Sequence, residues 1–119
     1  MGQLRDALGG ICPEVEGRVR SRLQADPSDG LHEWLPQTWG FETETEAATL
    51  HIDARGKTTA SDGIQGAVDV SVIWTQQDLV DVLTAKSRSA SFIGKNPKLR
   101  FRTPNGQRAF SLLRGALGL

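Results

Sequence analysis

Few side chains in this chain could do chemistry, and their spacing suits it poorly. His51 stands two residues before Asp53, which puts both on one side of an extended strand, where imidazole and carboxylate could exchange a proton. The surrounding alternation of apolar and polar residues makes the same pair a solvated strand face, and that is the reading adopted here. His32 is the only other histidine, and neither has a Cys or a second His at the spacing a metal site needs. Cys12 precedes Pro13 near a helix start, where a thiol can be activated, but a structural or incidental cysteine is the better reading. No serine occupies a Gly-x-Ser-x-Gly turn, and Gly63-Ile-Gln-Gly66 is a turn rather than a phosphate loop. No catalytic residue or metal ligand is assigned, no cofactor is implied, and the chain is expected not to be an enzyme.

Charge excludes some partners and leaves one open. Acidic and basic residues balance at 14 each, so the whole chain has no general attraction for nucleic acid. The two signs are separated along the sequence, however. Every Asp and Glu lies at or before Asp81, whereas Lys86, Arg88, Lys95, Lys98, Arg100, Arg102, Arg108 and Arg114 follow it. The basic third is expected to fold against the acidic part, with transient contact to anionic lipid headgroups as the sharper alternative. No basic run is interleaved with aromatics, so no nucleic acid partner is expected. One cysteine permits no internal disulfide, no apolar stretch suits a signal peptide, and no window reaches a membrane span. These features predict a soluble, cytoplasmic protein.

The elements follow from periodicity. At 119 residues the chain is read as one domain, 1–119, with a helical lead-in over 1–30. Leu4, Leu8, Ile11, Val15, Val19 and Leu23 mark one helix face, and Gly9-Gly10 and Pro13 predict a break, with a weak helix to about residue 9 and a better one from Pro13 to Ala25. Asp26 to Gly30 is a turn cluster. Trp34 and Trp39 flank Pro36 in a stretch of no clear period, and are expected to plug one end of the core. Strands are predicted at Phe41–Glu46, around Leu50–Ala54, at Lys57–Ser61 and from Val68 to Trp74, the last running into a helix capped by Thr75. A final strand, Leu99–Arg102, is stopped by Pro104, and Asn105 is expected to cap an apolar closing helix. The mixture predicts an α+β fold: a mainly antiparallel five-stranded sheet with helices covering one face. Glu42, Glu44 and Glu46 would then pair across the open face with Lys98, Arg100 and Arg102.

The ordered set Asp53-Ala-Arg-Gly56, Val68-Asp-Val-Ser-Val, the Thr75 helix with Asp78-Leu79, Ala90-Ser-Phe-Ile-Gly94 and Lys98-Leu-Arg-Phe resembles the sterol carrier protein type 2 domain over about residues 39–117. Two turns depart from that pattern, with Thr103-Pro104-Asn105-Gly106 in place of a Gly-Asp or Gly-Asn and Ala85-Lys86 in place of a glycine. The resemblance implies a lipid-binding or transfer protein whose cavity between sheet and helices holds a fatty acid, sterol or isoprenoid. It implies a lining of Trp74, Leu79, Val82, Leu83, Phe92, Ile93, Phe101, Phe110, Leu113 and Leu117, with the carboxy-terminal helix as a lid. Each buried methylene contributes about 0.8 kcal/mol, so an apolar cavity needs no polar contact to bind such a ligand. The alternatives are an accessory subunit that presents a lipid-like precursor to a lipid-processing enzyme, and a small enzyme using the same cavity. The second requires a polar group inside, whereas His51, Asp53 and Asp69 are expected to point outward. The carrier reading requires a hollow interior.

Overall fold

A computed structural model describes residues 2–25, 31–64, 66–93 and 95–119, so the turn expected over 26–30 and Gly94 of the Ala90–Gly94 motif lie outside the described residues. Helix α1 spans Gln3–Ala25 without interruption, with Pro13 inside it. The expected break does not occur. Leu4, Leu8, Ile11, Val15 and Val19 are all buried along one stripe, at about 2 kcal/mol each. That outweighs about 3 kcal/mol for an internal proline and about 1 for each glycine.

A short helix, α2 (Leu31–Trp34), leads through the cis Leu35–Pro36 bond into strand β1 (Gln37–Glu42). Strands β2 (Ala47–Ile52) and β3 (Thr58–Asp62) continue as antiparallel hairpins. The first strand thus begins four residues before the predicted Phe41, and residues 43–46 form its turn. Thr43 explains this: its N–H donates to the Glu46 carbonyl at 2.8 Å, and its hydroxyl accepts from the Glu46 N–H at 2.9 Å. An alternating Glu-Thr pattern is equally compatible with that turn, and local hydrogen bonding decides between them.

Strand β4 (Val70–Ile73) leads to α3 (Gln76–Thr84), α4 (Arg88–Phe92), β5 (Lys98–Phe101) and α5 (Pro104–Ala116). Thr75 caps α3 as expected, accepting from the Asp78 N–H. Thr103, not Asn105, caps α5 by accepting from the Gly106 N–H, and Pro104 opens the helix, since its missing N–H is one the first turn leaves unbonded anyway.

The sheet order is β3-β2-β1-β4-β5, and it is mixed rather than wholly antiparallel: β1 and β4 run parallel. Between β3 and β4 the chain must cross β2 and β1 to reach its parallel position beside β1. Ile64 and Val68 pass over Gly40, where an added Cβ would lie 3.0 Å from Ile64 Cδ1 and 3.3 Å from Val68 Cγ1. The expected Glu–basic ladder is absent for the same topological reason, because β4 separates β1 from β5. Glu44 instead accepts from the Gln76 N–H at 2.8 Å, and Glu46 from the Leu4 N–H at 3.2 Å, so these carboxylates tie helix starts to the turn. The acidic and basic parts of the chain meet instead at an ion pair between Arg88 and Glu14.

Candidate ligand pocket

The apolar pocket between the sheet and the later helices is built from alternate strand positions. Trp39 and Phe41 of β1, Val72 of β4 and Leu99 of β5 point to the helix side, because Trp39 pairs with Val70, Phe41 with Val72 and Val72 with Leu99 in register. Leu79, Val82 and Leu83 of α3 form the facing wall, and Trp74, Phe92, Pro97, Phe110, Arg114 and Leu119 complete it. Leu79, Val82 and Leu83 recur at steps of three and four, the spacing that puts them on one helix face.

Three ring pairs hold the wall. Phe110 stacks on Trp39 with centroids 5.7 Å apart and meets Phe101 edge-on at 5.1 Å. Trp74 and Phe92 make a second edge contact at 5.6 Å. The Arg114 guanidinium lies 5.1 Å from the Phe92 ring centroid, so the one charged wall residue is placed over an aromatic face. The Trp39 indole N–H donates to Gln37 Oε1 at 3.0 Å, which satisfies its polar edge inside the core.

Of the residues expected to line a cavity, Trp74, Leu79, Val82, Leu83, Phe92 and Phe110 border this pocket. Ile93 does not: it is 79% exposed at the end of α4. Phe101 is 42% exposed and reaches the pocket only through Phe110. Leu113 and Leu117 are fully packed in the main core, which the carboxy-terminal part of α5 shares with α1. Trp39, Phe41, Val72, Leu99 and Leu119 were not singled out as lining. Strand alternation carried the signal for Val72 and Leu99, but nothing local showed where β1 begins, and so which face Trp39 takes.

The interior is not hollow, contrary to what the carrier reading required. The space left among these side chains is about 20 Å³, room for about one water molecule, whereas ligand pockets run from about 300 Å³ upward. What closes it is loosely held. Helix α4 has no buried residue. It is fastened by Arg88, whose Nε donates to the Leu117 carbonyl at 2.6 Å while its Nη2 pairs with Glu14, and by the Phe92 contacts with Trp74 and Arg114. Gly118, at φ +77°, makes the room, since an added Cβ there would sit 2.8 Å from Arg88 Nη2. Burial lowers the Arg88 pKa. Helix α5 is the firmer cover, with Ala109, Leu113 and Ala116 buried, and Leu117 beyond them.

Among the described side chains, His51, Asp53, Asp69 and Cys12 do not border the pocket. The His51 Nδ1 is 2.9 Å from the Thr38 hydroxyl on the open face of the sheet. Asp53 accepts the Arg55 and Lys57 backbone N–H groups at 2.8 and 2.9 Å in the β2–β3 turn, and those bonds, the Arg55 one foremost, hold its carboxyl below the usual range. Asp69 accepts from the Thr38 N–H at 2.8 Å and the Thr103 hydroxyl at 2.7 Å, joining β1 to the start of α5. Cys12 is buried and donates to the Leu8 carbonyl at 3.3 Å; burial, with Glu16 nearby, raises its pKa. Among the described residues no cluster of His, Cys, Asp and Glu could hold a metal ion, and no helix is long and apolar enough to cross a membrane.

No family model and no curated protein matches the chain. Among solved structures it is similar to the UbiJ-SCP2 ubiquinone synthesis protein, at 17% identity over 87% of this chain and 96% of that one, TM-score 0.45. It is also similar to the sterol carrier protein domain 2 of Helicoverpa armigera, at 21% identity over 87% and 86% of the two chains, TM-score 0.44. Sterol carrier protein 2 like 2 from Aedes aegypti aligns at 14% identity over 88% and 95%, TM-score 0.42. With every TM-score below 0.5 these likenesses carry no argument about fold type or function, and any functional reading rests on the pocket of this chain itself.

Proposed function

We propose that this chain binds an apolar ligand, a fatty acyl, sterol or isoprenoid chain, by opening the pocket between β1, β4, β5 and α3, and that it acts by binding rather than by catalysis. The observation that carries the reading is the contrast in the pocket's walls: buried aliphatic and aromatic side chains below, and above them a helix, α4, with no buried residue. Magnitudes favour opening. Releasing α4 exposes Phe92 and part of Trp74, about 2–4 kcal/mol of burial. A twelve-carbon chain entering the space gains about 10 kcal/mol at about 0.8 per methylene. The surplus covers ordering costs of several kcal/mol.

The test is titration with palmitate and with a fluorescent fatty acid, followed by tryptophan emission, because Trp39 and Trp74 both border the pocket. Binding at micromolar concentration is expected. Phe92→Ala, which removes the roof ring without touching a buried residue, should bind more tightly. Absence of binding by both proteins, each shown folded by circular dichroism, refutes the reading.

A further inference from the structure

The pocket's outer rim is a basic edge with an apolar tip. Phe92 and Pro97 border the pocket, and the segment between them carries Ile93, 79% exposed, and Lys95. The rim continues into β5, an outer strand of the sheet, and the residue after it, where exposed Lys98, Arg100 and Arg102 alternate with Leu99 and Phe101. Ile93 and Phe101 are the exposed large apolar residues of the chain's described part. No acidic residue follows Asp81. Among the described residues, Lys95, Lys98, Arg100 and Arg102 form no ion pair: Lys95 reaches only the Ser91 hydroxyl at 3.5 Å, and Arg102 the Ser71 hydroxyl at 3.2 Å. Glu42 and Glu44 border one surface groove with Lys98, which partly balances that end of the edge, whereas Lys95, Arg100 and Arg102 have no carboxylate partner among the described residues. Glu44 and Glu46 hold helix starts, and Glu14 holds Arg18 and Arg88.

We propose that Ile93 and residues 95–102 form a docking edge for an anionic lipid bilayer, with Ile93 entering the interface and Lys95, Lys98 and Arg100 contacting headgroups. Charge complementarity selects this occupant. A neutral chain is not drawn to a membrane as a whole, but an unpaired basic edge within a Debye length of the surface is. The exposed isoleucine at its tip suits the headgroup boundary, whereas single-strand stacking draws on several rings and this edge exposes Phe101 alone among its described residues. Docking by this edge places the α4 cover against the bilayer, where a lipid chain would enter. That last consequence rests on the ligand reading above; the docking edge itself does not.

The test is co-sedimentation of the full chain with phosphatidylcholine vesicles, with and without phosphatidylglycerol, at low and high salt. The chain is expected to bind only the phosphatidylglycerol vesicles, and to be released by salt. Each basic residue near the surface is worth about fivefold in partitioning, so Lys95→Gln with Lys98→Gln should weaken binding about 25-fold. Ile93→Ser should weaken it about tenfold. Lys57→Gln, exposed in the β2–β3 turn, should weaken it less than twofold. Failure of the unaltered chain to sediment overturns the proposal, as does an equal loss for the Lys57 variant and the Lys95/Lys98 pair. A chain that sediments but takes up no fatty acid refutes the ligand reading and leaves the docking edge standing.

Discussion

Gly106→Ala should separate α5 from the sheet, and the size of the effect follows from one contact. An added Cβ at Gly106 would lie 2.4 Å from the Asp69 carbonyl oxygen and 2.9 Å from its carbon, against about 3.4 Å for ordinary contact. The obstacle is backbone, held by the Arg102 N–H at 2.8 Å, so it has no flexible end to yield. The first turn of α5 must retreat by about 1 Å, which stretches the 2.7 Å bond from the Thr103 hydroxyl to Asp69 Oδ1. Overpacking of this kind costs about 1–3 kcal/mol, and weakening the Thr103 cap adds about 1. Alanine returns about 0.5–1 kcal/mol of helix preference. The net is a loss of about 1–3.5 kcal/mol, which lowers Tm by about 4–14 °C at about 4 °C per kcal/mol for a domain of this size. Gly115→Ala in the same helix is the control. Nothing lies within 4 Å of its added Cβ, so only the helix preference remains and Tm should rise by about 2–4 °C. Thermal and urea unfolding followed by circular dichroism measure both. Equal stability of the two variants would refute the argument.

Three further outcomes are expected. Arg88→Ala removes the donor to the Leu117 carbonyl and the Glu14 ion pair; stability should fall by about 1–2 kcal/mol, while fatty acid uptake in stopped flow becomes faster, and slower uptake would place the opening elsewhere. Burial raises the Glu46 carboxyl, but hydrogen bonds from Gln76 and from the Leu4 and Gly2 N–H groups outweigh it and leave the pKa below its ordinary 4.5. Its contribution is therefore complete above pH 4.5 and is lost as pH falls through the lowered folded value. The acid limb of a stability–pH curve should be flatter in Glu46→Gln. The Cys12 thiol, buried and with a raised pKa, should react with a disulfide reagent far more slowly than a free thiol, and at the free rate in urea; prompt reaction in the native protein would contradict its burial.

Much of the architecture was legible because periodicity reports burial directly. The Leu4–Val19 stripe and the Thr75 cap depend on residues near in sequence and appear in the fold, whereas of the Val68–Trp74 run only Val70–Ile73 is strand, and Val68 packs over Gly40 on the other face. Misreadings arose where two local rules conflicted. Pro13 and paired glycines argued for a broken helix, but the cost of a break is local while the burial that prevents it is supplied by the sheet. The Glu42-Thr-Glu-Thr-Glu46 run fitted a strand as well as a turn, and the Thr43–Glu46 bonds favour the turn. For the pocket, residue type alone could not distinguish Phe92, which borders it, from Ile93, which points to solvent.

The amino-acid sequence by itself determined the classes of element, the apolar faces and the separation of charge, because each is a property of neighbours along the chain. Tertiary structure alone decided that β4 lies parallel to β1, that it stands between Glu42 of β1 and the basic strand β5, and that the pocket is closed to about 20 Å³. Those outcomes depend on which distant segments meet and how closely their side chains interlock, and the free volume left is a small difference between large packed volumes that no local pattern encodes.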